Sequence, residues 1–121
     1  MTRATPGLFI TGTNTEVGKT YIASLIIQAL VRSGIRVGVY KPAASDCPFE
    51  NGSQISADAQ QLWEAAGQPG SLEQVCPQRF VAPLAPHLAA KAEDRQVDVK
   101  LLRSGLSYWQ DNYDFVVVEG I

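Results

Sequence analysis

The chemistry in this chain starts with one short run, Gly12-Thr-Asn-Thr-Glu-Val-Gly18-Lys19-Thr20. To bind a nucleoside triphosphate, a loop needs backbone N–H groups curled around an anion and the positive end of a helix behind them. It also needs a lysine reaching outward and a hydroxyl able to ligate Mg²⁺. Gly18, Lys19 and Thr20 supply glycine, cation and hydroxyl in that order. The usual spacing, G-x-x-x-x-G-K-[ST], would set its first glycine at Thr13, whereas the glycine here is Gly12, so this is a variant phosphate loop. Glu16 is unexpected in an anion cradle, because a carboxylate repels phosphate unless it points away or meets a metal or a cation.

Two further polar residues close apolar runs. Lys41 follows Ile35-Arg-Val-Gly-Val-Tyr40, and Glu119 follows Phe115-Val-Val-Val118. In an open α/β sheet the ligand lies beyond the carboxyl ends of the strands, so both side chains are expected near Lys19 and Thr20. A second cation there stabilises charge developing during phosphoryl transfer, and an acid in the place of Glu119 holds Mg²⁺ directly or through water. Asp58, in the first turn of a helix capped by Ser56, reads equally as a metal ligand and as an acid stabilised by the helix dipole. His87, the only histidine, follows Pro83-Leu-Ala-Pro86 and is expected to make a structural hydrogen bond rather than to act as a base.

The elements that must position these residues follow from periodicity. Leu8 to Thr11 is expected to form a buried first strand. From Lys19 to Arg32 a helix is expected, with Ile22, Leu25, Ile26, Ala29 and Leu30 on one apolar face and Gly34 just past its end. Ile35 to Tyr40 is a second strand stopped by Lys41-Pro42, and Ala43 to Ile55 is a polar surface loop able to close over a site. A helix runs from Ser56 to about Ala66, with Leu62 and Trp63 inward. Pro77, Pro83 and Pro86 break up the region that follows, and a short helical stretch lies within Ala85 to Glu93. Asp98 caps a last helix with Val99, Leu102, Leu106 and Trp109 on one face. The unbroken apolar run Phe115 to Val118 belongs in the middle of a parallel sheet covered on both faces. Together these give an α/β, three-layer fold with right-handed crossovers.

Composition sets outer bounds. Ten Lys plus Arg against twelve Asp plus Glu give a net charge of −2, which argues against a clustered basic face for nucleic acid. No stretch approaches the roughly 20 apolar residues of a membrane span, and no apolar segment of signal-peptide length precedes the first strand, so a cytoplasmic protein is expected. Cys47 and Cys76 each adjoin a proline outside any C-x-x-C pair, and both are expected to be reduced and structural.

In order along the chain, the phosphate loop, Tyr40-Lys-Pro-Ala-Ala-Ser45, Ser56-Ala-Asp58-Ala, Pro83-x-x-Pro-His87 and Val117-Val-Glu-Gly120 resemble dethiobiotin synthetase. The Tyr-Lys-Pro-x-x-Ser element is the specific part. The phosphate loop is shared with ATP domains of amidotransferase-type synthetases of cobalamin synthesis, and partition ATPases would carry an additional lysine where Thr13-Asn14-Thr15 stands. The resemblance implies a P-loop NTPase-like fold and a cytoplasmic homodimer that uses ATP, Mg²⁺ and CO₂ to close a cyclic urea on 7,8-diaminononanoate. It implies nucleotide binding by Thr13, Glu16, Val17, Gly18, Lys19 and Thr20, with Asp58 and Glu119 joining Thr20 at the metal. It also implies that Lys41 is catalytic and that Ser45 contacts the diamine. Members of that family continue for about as long again, usually reading Ala-Gly-Gly after Val-Glu-Gly. Residues 1–121 are therefore expected to form one incomplete, C-terminally truncated domain or to leave a non-catalytic nucleotide-binding fragment.

Overall fold

A computed structural model of the chain describes residues 5–11 and 18–120. Its main sheet holds three parallel strands, β1 (Gly7–Ile10), β2 (Val37–Tyr40) and β7 (Phe115–Glu119), in the order β1-β7-β2. β7 lies in the middle as its apolar run requires, with Val117 facing Leu8 on one side and Val39 on the other. Between β2 and β7 the chain forms two short pairs, β3 (Ala43–Ala44) parallel to β6 (Gln78–Arg79), and β4 (Phe49–Glu50) antiparallel to β5 (Ser53–Gln54). The helices are α1 (Gly18–Arg32), α2 (Ala57–Ala65), α3 (Leu72–Val75), α4 (Pro86–Ala92) and α5 (Val99–Asn112).

α1 and α5 sit on opposite faces of the sheet. Glu119 reaches Thr20 of α1, whereas Tyr40, in register with the preceding Val118, donates its hydroxyl to the Leu102 carbonyl of α5 at 2.8 Å. Two glycines let α5 come this close. A Cβ on Gly38 of β2 would lie 2.8 Å from the Trp109 ring, and one on Gly105 of α5 would run into the Tyr40 hydroxyl. Trp109 is fully buried and donates its indole N–H to the Gln74 carbonyl at 3.0 Å. Ser56 and Asp98 cap α2 and α5 as expected, through bonds from the Ala59 and Leu101 N–H groups.

Five expectations change. β1 is not buried, since Leu8 is 38% and Phe9 62% exposed, and among the described residues its outer edge carries no strand. α1 buries Thr20, Ala23, Ser24 and Ile27, not the face with Ile22, Leu25 and Ala29, because the Thr20 to Glu119 contact fixes which side of the helix meets the sheet. Within Ala43 to Ile55 the first part is interior: Ala43, Ala44 and Cys47 are buried against β6, and only the β4–β5 hairpin is a surface loop. Val99 points outward, 61% exposed, because α5 seats on β2 through Leu102 and Gly105 beyond its first turn. His87 is exposed at the start of α4, and its side chain makes no hydrogen bond among the described residues. Trp63 is half-buried against the core and bonds the Pro69 carbonyl.

Candidate functional site

The carboxyl ends of β2 and β7 and the first turn of α1 meet at one point. Glu119, the last residue of β7, is fully buried, and both its oxygens accept from the Thr20 hydroxyl, at 2.8 and 3.1 Å. Lys41, one residue past β2 and 7% exposed, brings its Nζ to 3.4 Å from Glu119 Oε1. Its backbone N–H donates to the Val75 carbonyl at the end of α3, so the turn that carries it is tied down. Asp58, in the first turn of α2 and half-exposed, stands 4.0 Å from the same Nζ. A buried ammonium thus lies between a buried carboxylate and one open to water. That arrangement offsets the cost of burying either charge alone.

Lys19 completes the group. Its Nζ donates to the Gly120 carbonyl at 2.7 Å, which joins the first turn of α1 to the residue after β7. The sequence gives no sign of this partner, because a backbone acceptor leaves no trace in residue type. The anchoring of Lys41 by Val75 is hidden for the same reason. Gly18 opens α1 and is exposed, as a helix N-terminus offered to an anion should be.

Of the residues singled out from the sequence, Gly18, Lys19, Thr20, Lys41, Asp58 and Glu119 come together here. Ser45 lies just beyond β3, half-buried, with its carbonyl accepting from the Cys47 thiol. No hydrogen bond joins it to the Lys41 cluster among the described residues. Thr13, Glu16 and Val17 lie outside the described residues.

The two cysteines are unpaired and buried close behind Lys41. Burial pushes the Cys76 thiol up to about 12, against the opposing pull of Lys41, and raises Cys47 as well. Both are therefore neutral packing groups rather than nucleophiles. Tyr40, just before Lys41, is likewise raised to about 12 by burial. The cluster is therefore backed by uncharged groups, and its charges belong to Lys19, Lys41, Asp58 and Glu119.

Chemically, the group offers two ammonium ions, a hydroxyl and two carboxylates at the end of a parallel sheet. These are the parts needed to hold polyphosphate, with hard oxygen donors for a divalent cation. A family model described as an AAA domain matches residues 6–121. Among curated proteins, the chain is 48% identical over 114 residues to the ATP-dependent dethiobiotin synthetase BioD of Rhodopirellula baltica, covering 93% of this chain and 44% of that protein. It is 33% identical to the protein of the same name from Thermodesulfovibrio yellowstonii, covering 95% of this chain and 48% of the relative. Against the one from Clostridium botulinum strain Alaska E43 it is also 33% identical, covering 94% and 50%. The chain thus spans about half the length of the curated relatives it matches.

Proposed function

This chain belongs to the AAA domain family, and on that premise we propose that it is the nucleotide-binding portion of an ATP-dependent dethiobiotin synthetase. The observation that carries the reading is the buried Lys41, placed against Glu119 and Thr20 where the parallel strands end. The 48% identity to the Rhodopirellula baltica relative, along nearly the whole chain, supports it over other ATP-binding readings.

The reaction joins 7,8-diaminononanoate, CO₂ and ATP. One amine and CO₂ form a carbamate, and a carbamate oxygen attacks the γ-phosphorus as ADP leaves. The second amine then attacks the carbonyl carbon, closing the ring and expelling inorganic phosphate. Every species near the γ-phosphate is anionic, so fixed cations do most of the work. Lys19, held at the Gly120 carbonyl, faces the outer phosphates. Lys41 meets the carbamate and the transferring phosphoryl group, and Glu119 and Asp58 keep its ammonium aimed while balancing its charge. Ser45 contacts the diamine, and Thr13, Glu16, Val17 and Gly18 line the nucleotide. The residues present suit magnesium: a hydroxyl (Thr20) and two carboxylates (Glu119, Asp58) are hard oxygen donors, Thr20 bonded to Glu119 and both carboxylates within 4.0 Å of the Lys41 ammonium. When bound, Mg²⁺ would supply positive charge that offsets the charge developing in phosphoryl transfer. The assembly we propose is a cytoplasmic homodimer, and no helix among the described residues is long and apolar enough to cross a membrane.

Titration calorimetry tests the reading stepwise, with Mg-ATP first and 7,8-diaminononanoate second. We expect weak nucleotide binding, then binding of the diamine, with slow or no turnover by these 121 residues alone. Binding of ATP without the diamine would turn the chain into a nucleotide-binding switch. Binding of neither would overturn the proposal in favour of a disabled fragment, and normal turnover would overturn the expectation of incompleteness.

A further inference from the structure

α3 is a single turn of four residues, too short to hold its shape by its own hydrogen bonds. Both tryptophans of the chain hold it from outside. Trp63 of α2 donates its indole N–H to the Pro69 carbonyl at 2.9 Å, just ahead of the Ser71 cap, and Trp109 of α5 donates to the Gln74 carbonyl at 3.0 Å. Ser71 and Gln74 close a capping box between them. The last carbonyls of a helix have no partner within it, so those of Gln74 and Val75 are free to bond outward. Gln74 accepts from Trp109, and Val75, the next residue, accepts the backbone N–H of Lys41 at 2.8 Å. Two adjacent carbonyls thus join a buried indole to the lysine of the site.

Trp109 is rigid enough for the part. It is fully buried, edge-on to the Tyr108 ring at 5.0 Å and tilted against Tyr113 at 5.0 Å, with the bare Gly38 backbone of β2 close against it. The residue before Lys41 is tied to the same helix, through the Tyr40 hydroxyl on the Leu102 carbonyl. We propose that Trp109 is a positioning residue for Lys41, acting through α3. Its indole N–H fixes the Gln74 and Val75 carbonyls, and these fix the backbone from which the Lys41 ammonium reaches Glu119 and Asp58. Any buried tryptophan needs an acceptor for its N–H, but here the acceptor adjoins the carbonyl that holds Lys41. The inference deepens the reading of Lys41 as the group that meets the transferring phosphoryl, and rests on it. Its test reads where the ammonium sits and not turnover, so the two can fail separately.

Acetic anhydride labelling of the full 121-residue chain, resolved by mass spectrometry, compares Lys41 with Lys19, Lys91 and Lys100. Lys41 is 7% exposed and should label slowest, Lys91 and Lys100 are exposed, and half-buried Lys19 reports any loosening of the site as a whole. Trp109→Phe keeps most of the bulk and loses the N–H, whereas Trp109→His keeps a ring N–H at the same place and loses the bulk. In Trp109→Phe the labelling of Lys41 should rise about fivefold, the worth of one hydrogen bond, with Lys19 unchanged, and Trp109→His should restore most of the protection. Ser71→Ala, at the exposed cap of α3, should raise Lys41 labelling in the same direction. Circular dichroism confirms that each variant is folded. Lys41 labelling that follows ring bulk instead of the N–H overturns the proposal, as does a rise shared equally by Lys19. If neither Trp109 variant folds, a Lys41 indifferent to Ser71→Ala overturns it.

Discussion

β1 and β7 are parallel neighbours in register, and each is an apolar run ending near the same site, yet their surroundings are opposite. Val116, Val117 and Glu119 of β7 are buried, and at its end every charged group in reach is paired. β1 has much the same composition and stands half in water. The difference shows that a strand's burial is decided by what its neighbours bring. β7 is flanked by two strands and two helices, and among the described residues β1 has a strand partner on one side only.

Glu119→Ala should break the contrast most deeply, because it strands the buried Lys41 ammonium and the Thr20 hydroxyl together. Loss of one partner of such a pair costs about 3–5 kcal/mol, which urea unfolding of the purified chain would read. If the change is nearly silent, β7 is no more committed to its surroundings than β1. Gly38→Ala probes the covered face of the sheet next door. The new methyl would press on the Trp109 ring at 2.8 Å, and overpacking of this kind costs about 1–3 kcal/mol, seen as a lower thermal midpoint.

Alkaline pH sharpens the same comparison without mutation. Cys76 rises from 9.0 to about 12 and Tyr40 from 10.0 to about 12 in the folded chain. The unfolded chain therefore releases these protons first. Their contribution is intact below about pH 9 and is lost as pH climbs toward 12, on the order of 1 kcal/mol by pH 10. Thermal melts from pH 8 to 10.5 should fall steadily, and a flat profile would mean these groups are not buried as described. The smallest effect belongs to β1. Phe9→Ser should shift the stability of the chain by itself within about 0.5 kcal/mol, and a loss several times larger would show that β1 is already covered.

Much of the architecture is legible in the residues, and the exceptions have physical causes. Four consecutive apolar residues mark β7 as the central strand, and two strand-ending polar residues, Lys41 and Glu119, mark the candidate site. Asp58 stood evenly between metal ligand and helix stabiliser, and its position 4.0 Å from Lys41 is what adds it to the cluster. The buried face of α1 is not the one that hydrophobic spacing favours, which carries Ile22, Leu25 and Ala29. The contact that seats the helix is made by the polar Thr20, which such counting ignores. The interior position of Ala43, Ala44 and Cys47 was hidden because a two-residue strand pairing thirty-five positions away has no local period. Residues 12–17, which include Thr13, Glu16 and Val17, lie outside the described residues, so the sequence alone speaks for them.

The tie between Lys19 and the Gly120 carbonyl bears on the entropy of ligand capture. An ammonium has three N–H donors, and this bond uses one. The other two are carried by a side chain that no longer sweeps its full range of rotamers, freedom worth about 2 kcal/mol for a lysine. That ordering is spent when the chain folds, so an arriving phosphate meets a cation already held in place and need not immobilise it.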